Sequence, residues 1–137
     1  MNTTALNTVQ ADASLVRLTH LTYGLHAVGL ALGIFGASTV VGAFLGLPSL
    51  VALVLNYVKR SEVRGTWLES HFRWQIRTFW FVLGWAVAIM LVSAPLVLLL
   101  GLGFVTGWMG LTVLGIWAIY RIVRGWLRLQ GREPMPV

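Results

Sequence analysis

Between Gly65 and Trp80 the chain reads GTWLESHFRWQIRTFW, which gathers His71, Gln75, Arg73, Arg77 and the tryptophans Trp67, Trp74 and Trp80. Imidazole, amide and guanidinium groups can bind an anion, hold a metal or move a proton. What the rest of the chain lacks narrows that choice. Its only acids are Asp12, Glu62, Glu69 and Glu133, and none lies inside an apolar run. Paired carboxylates for hydrolysis are missing. So is the intramembrane acid that a proton-coupled pump usually needs. No HExxH, GxSxG or P-loop spacing occurs. With zero cysteines, thiolate zinc sites and iron–sulfur clusters are excluded. The chain therefore reads as no enzyme and as needing no cofactor. The histidines leave one redox alternative, a b-type haem clamped between two helices by two of His20, His26 and His71. No single helix carries two histidines at haem-spanning separation.

The elements that must position these groups follow from composition. Of 137 residues, 58% are apolar and only 10% are charged, against roughly 25% charged in an ordinary soluble domain. The mean hydropathy is +0.82. Leu21 to Val58 contains no Asp, Glu, Lys or Arg, and neither does Thr78 to Tyr120. Each run is too long for one membrane span of about 20 residues and nearly long enough for two. The expected fold is therefore an all-α membrane protein. Four transmembrane helices form two tight hairpins, with spans at about 18–37, 41–58, 76–100 and 105–127. Glycines suggest turns at Gly36–Gly42 and Gly101–Gly110. The second span is short, and Pro48 makes it a candidate tilted or re-entrant piece. Pro95 should kink the third. The N-terminus has no basic stretch before its apolar run, so that run reads as a retained span and not as a cleaved signal.

Charge sets the orientation. Arg17 precedes the first span, Lys59, Arg60, Arg64, Arg73 and Arg77 lie between the hairpins, and Arg121, Arg124, Arg128 and Arg132 cluster at the end of the last. The hairpin turns carry none. By the positive-inside rule the N-terminus, the 59–75 loop and the 128–137 tail are all cytoplasmic, within a single 1–137 membrane domain.

The opening stretch can now be read as a helix. Thr66 and Glu69 fit a capping box, with the helix starting at Trp67. At 100° per residue, Trp67, His71, Trp74 and Thr78 share a face, with Gln75 at its border. Those polar groups must turn to protein or trapped water. Leu68, Phe72, Ile76 and Phe79 form a second face suited to lipid. Glu69, Arg73 and Arg77 form a third, with Glu69 paired to Arg73 and Arg77 lacking an acid one turn away. Asn56 is placed to bond across to Gln75 or His71. His26, some 9 Å deeper than His20, is expected to be buried on a backbone carbonyl beside Tyr23. His71, Gln75, Asn56 and His26 thus form a structural polar cluster.

On the last helix Trp117, Arg121, Arg124 and Arg128 share a face, opposite Ile119, Ile122, Trp126 and Leu129. After the first hairpin, nine Lys/Arg face only Glu62, Glu69 and Glu133. Internal pairing leaves six unneutralised, and anionic headgroups supply about 1 kcal/mol per basic residue near the surface. The expected binding set is Arg73, Arg77, Arg121, Arg124 and Arg128 with Trp67 and Trp74. Its partners are anionic membrane lipids or an acidic protein, not nucleic acid. Topology alone would also account for the charges. Small residues at spacing four (Gly29, Gly33, Ala37; Ser38, Gly42, Gly46; Gly84, Ala88; Gly103, Gly107) suit close helix approach. They would pack within the chain or seam a homo-oligomer or larger complex. A small oligomeric channel or passive transporter, with His26 and Asn56 lining its path, is the rival reading.

Two segments, NYVKRSEVRGTWLESHFRWQIRTFWF and IYRIVRGWLRL, also resemble a family. They look like those of uncharacterised small bacterial inner-membrane proteins with a TWLxSHFRxQIRTFW motif, proteins likened to a plastid protein-import membrane subunit. The resemblance implies a four-helix protein of the bacterial inner membrane. It marks Trp67, His71, Arg73, Gln75, Arg77, Arg121 and Gly125 as motif positions and carries over no activity. The accessory or scaffold role is read from the chain's own lack of chemistry and its basic rim.

Overall fold

The structure, a computed structural model, describes residues 11–36, 46–99 and 101–136. The described residues form four helices and no strand: α1 (Ala13–Gly36), α2 (Leu47–Val58), α3 (Leu68–Val97) and α4 (Leu102–Gln130). Two of them, α3 and α4, are long and apolar enough to cross a membrane. The polar run THLTYGLH lowers the hydropathy of α1. The expected first turn and the start of the 41–58 span fall at 37–45, outside the described residues. Of the small-residue series, Ala37, Ser38 and Gly42 lie there too.

Local chemistry sets the helix ends. Asp12 caps α1 by accepting the Ser14 amide at 3.0 Å. Pro48 sits in the first turn of α2, where its missing N–H leaves no broken helical bond. The capping box does not form. Thr66 Oγ1 instead donates to the Val63 carbonyl at 2.7 Å, and α3 starts at Leu68 with no side-chain cap. The Glu69 carboxylate reaches one residue further back, to the Gly65 amide at 3.0 Å. Gly65 presents that amide from a left-handed conformation, φ 75°.

The α3–α4 turn is also tighter than expected. It lies between Val97 and Leu102, with Gly101 at φ 74°. Gly103, Gly107 and Gly110 are helical residues of α4, not turn residues. A side chain on Gly103 would collide with the Ser93 carbonyl and Val97 of α3, and one on Gly110 would press on Ile89. These glycines let two backbones approach within one chain. Gly29 does the same between α1 and α2, against Ser49, whereas Gly33 and Gly84 have open space beside them. Pro95 falls in the last turn of α3 and not in its middle.

The tight core lies at one end of the bundle, where Leu15, Tyr23, Val63, Leu68, Phe72 and Leu129 are buried together. Leu68 and Phe72 were expected to face lipid. They are instead enclosed, because the first turns of α3 are covered by the α2–α3 loop and the end of α4. Away from this end the exterior is apolar: Leu98 is 88% exposed and Trp108 72%. Every Lys and Arg of the chain sits on the α1 start, the α2–α3 loop, the first turns of α3, the last turns of α4 or the turn that follows it, at the end holding the packed core.

The C-terminus closes this end. At the end of α4, Arg132 N–H donates to the Leu129 carbonyl at 3.1 Å and Glu133 N–H to the Arg128 carbonyl at 2.9 Å. This is a Schellman turn with Arg132 in its left-handed position at φ 55°. The turn sends the tail back over α3, where the Met135 amide donates to Ser70 Oγ at 2.9 Å and Met135 is buried.

Candidate functional site

His71 joins three parts of the chain. Its Nε2 lies 2.8 Å from the Glu133 carbonyl, and its Nδ1 lies 3.0 Å from the Tyr23 hydroxyl. A carbonyl only accepts, so Nε2 carries the proton, and a neutral ring then accepts from Tyr23 at Nδ1. Burial is the main cause holding the His71 pKa below the ordinary histidine value; the Glu133 carbonyl opposes it, and Arg128 and His20 add to it. Trp67 meets the ring edge-on at 5.5 Å. Tyr23 reaches His71 across the face of Gly125, where any added side-chain carbon would strike its ring and hydroxyl. Gly125 is therefore a packing position.

One turn further along α3, Gln75 accepts from Asn56 Nδ2 at 2.9 Å. Each amide keeps one buried polar atom without a partner, Asn56 Oδ1 and Gln75 Nε2, and so does His26 at Nε2. Among the described residues His26 has no carbonyl partner, and Tyr23 turns to His71 instead; the Phe79 ring lies 6.3 Å from that of His26. His71 is engaged at both nitrogens, and His20 Nδ1 takes the Trp126 indole N–H at 3.1 Å. Among the described residues no group of three or more His, Cys, Asp or Glu could hold a metal.

Arg121 is held by α3. Its Nε donates to Thr78 Oγ1 at 2.8 Å, and its guanidinium carbon lies 3.6 Å from the Trp74 ring centroid and 5.0 Å from that of Trp117. Trp74 Nε1 in turn donates to the Arg121 carbonyl at 3.1 Å. These contacts fix a cation that must otherwise remain hydrated. Its Nη groups make no hydrogen bond among the described residues.

The other expected binding residues are arranged separately. Arg73 pairs with Glu69 at 3.2 Å, both side chains well exposed. The Gly65 amide, foremost, and the Arg73 guanidinium hold Glu69 below the usual carboxylate range. Arg77 is exposed. Arg124 donates to the Tyr120 hydroxyl at 2.8 Å and Arg128 to the Pro134 carbonyl at 3.2 Å.

Two hollows adjoin these groups. The larger is a cavity of about 540 Å³ between α1, α3 and α4, with Ser49 of α2 also at its wall, and Arg121, His26, Gln75 and Thr78 line it. The smaller, of about 180 Å³, lies under the tail beside Trp67, Ser70, Arg73 and Arg77. Trp74 lines both and stands between them. His26 lines the larger of these two hollows, and Asn56 lines neither. Sequence reading missed Tyr23 as the partner of His71 and the tail as the cover of α3. The first needs α1 and α3 aligned in depth, and the second turns on a left-handed position at Arg132, one residue beyond the C-cap Gly131. Comparison of the chain with protein-family models, curated proteins and solved structures finds no match.

Proposed function

We propose that the chain is a multi-pass protein of the bacterial inner membrane whose basic end binds anionic lipid headgroups. In this reading it crosses four times, keeps both termini cytoplasmic and serves as an accessory or scaffold subunit without chemistry of its own. The resemblance around TWLESHFRWQIRTFW belongs to the same proposal.

One observation carries it: all the basic side chains gather at one end of a bundle whose remaining exterior is apolar. Four acids cannot neutralise ten bases, and only two ion pairs form among the described residues. Headgroup phosphates match that surplus. Trp67 and Trp74 lie beside Arg73 and Arg77 at the start of α3, and indole rings collect at a membrane interface. At 24 residues, α1 is about 36 Å long, enough for a hydrocarbon core of about 30 Å.

Native mass spectrometry of the full chain, released from vesicles of mixed phosphatidylglycerol and phosphatidylethanolamine, tests this. The chain should retain phosphatidylglycerol preferentially. Replacing Arg73 and Arg77 by Gln should weaken that retention by about 2 kcal/mol, roughly thirtyfold, while leaving the melting temperature unchanged. Equal retention of both lipids would sink the proposal.

A further inference from the structure

The cavity between α1, α3 and α4 is polar at one end and apolar along the rest. Arg121, Thr78, Gln75 and His26 stand near the packed end, while Leu30, Val82, Ala86 and Leu111 line the remainder. The axial levels follow from the contacts. Tyr23, His71 and Gly125 meet in one layer. His26, Gln75 and Arg121 each lie three or four residues further into the bundle, one helical turn below it. They form a second layer, with Thr78 bonded to Arg121.

That second layer is unfinished. His26 is 7% exposed and Gln75 2%, yet among the described residues His26 Nε2 and Gln75 Nε2 have no partner. A buried polar atom left unpaired costs about 1–3 kcal/mol. Arg121 adds a fixed cation whose Nη groups are unengaged among the described residues, suited to a bidentate anion. Below this layer the cavity continues past Leu111, ten residues along α4 from Arg121. That is about 15 Å, close to half of a hydrocarbon core about 30 Å thick. The hollow therefore has the depth of one leaflet, and its volume of about 540 Å³ lies within the usual range of about 300–1,000 Å³ for small-ligand sites.

We infer that this cavity is a binding site for one single-chain, phosphate-headed acyl ester, a lysophospholipid. The phosphate engages Arg121, held in place by Trp74 and Thr78. The ester or glycerol oxygens, one to three bonds further on, satisfy the unpaired nitrogens of His26 and Gln75. The acyl chain fills the apolar part. A fatty acid would satisfy Arg121 and leave the other two nitrogens bare. A second acyl chain would exceed the cavity's volume of about 540 Å³. The inference rests on the membrane reading above but uses different residues from the Arg73/Arg77 rim.

The test is tryptophan quenching in the full chain, in mild detergent, by lysophosphatidylglycerol brominated along its acyl chain. Trp74 and Trp108 line the cavity and report occupancy. Quenching should saturate at one probe per chain. Arg121→Gln should weaken binding at least tenfold, and Ala86→Phe, which fills the chain channel and leaves Arg121 in place, should abolish saturable quenching. A brominated fatty acid should bind at least tenfold more weakly than the lysophospholipid. Quenching that rises linearly with probe and ignores both substitutions would overturn the site. Fatty acid binding equal to that of the lysophospholipid would overturn the phosphate-ester assignment. If Ala86→Phe unfolds the chain, Leu111→Phe supplies the same obstruction from α4. Retention of diacyl phosphatidylglycerol by the Arg73/Arg77 variant reads the rim separately, so the two proposals fail independently.

Discussion

The Tyr23 hydroxyl sits 3.0 Å from Nδ1 of His71, and that single bond pins α1 to α3 with the aromatic ring lying on Gly125 of α4. Three helices meet in the layer, and the tail joins it through the Glu133 carbonyl. Each part of the arrangement predicts a measurable consequence.

Gly125→Ala should destabilise the fold by about 1–3 kcal/mol, because the new methyl meets the buried Tyr23 ring and hydroxyl. Helix propensity favours Ala by about 1 kcal/mol, so the net loss measures the clash. In a Tyr23→Ala background, where the ring is gone, Gly125→Ala should become neutral or stabilising. Thermal unfolding of the two single variants and the double variant in detergent checks this.

Acid should weaken the bundle through His71. Burial keeps its folded pKa below the unfolded value of about 6.5. Below that pH the unfolded chain binds a proton that the folded chain refuses, so stability falls as pH drops from about 6.5 toward the depressed folded value, and is complete above it. Melting temperatures measured between pH 7.5 and pH 5 should decline in the wild type. His71→Gln should be less stable at neutral pH and flatter across the range.

Arg132→Gly should raise stability. Arg132 holds φ 55° at the left-handed position of the Schellman turn, a conformation that costs a side-chain-bearing residue roughly 1 kcal/mol and glycine almost nothing. The gain should appear as a higher melting midpoint and slower exchange of the Glu133 and Met135 amides.

Asn56→Leu alone should cost about 1–3 kcal/mol, because it strands a second polar atom of Gln75 in a buried site. Adding Gln75→Leu should restore much of that loss. A double-mutant cycle read by thermal unfolding gives the coupling.

Much of this architecture is legible in the sequence, and the parts that are not have physical causes. The uncharged runs and the glycine-rich boundaries announce helices, and the Glu69–Arg73 spacing announces its ion pair. The periodicity of His71, Gln75 and Thr78 marks a face that cannot meet lipid, and Asn56 to Gln75 is the cross-link that polarity demands. The Leu68/Phe72 face misleads because hydropathy cannot say whether an apolar stripe meets lipid or another part of the chain. The Gly103–Gly110 series reads equally as a turn or as a close helix approach, and only the position of Ser93 and Ile89 on α3 decides. The Thr66–Glu69 capping box fails because Val63 offers Thr66 a nearer carbonyl. The cavity is invisible from sequence, since its walls come from separated helices.

Accessibility labelling tests the common boundary most directly. The chain has zero cysteines, so Ser61→Cys in the α2–α3 loop and Pro136→Cys in the tail each introduce a single reporter. With a membrane-impermeant maleimide, both should stay unlabelled in spheroplasts with an intact inner membrane and label fully in inverted vesicles. Labelling of either one in intact spheroplasts would put part of the basic end on the opposite face and contradict the shared headgroup surface.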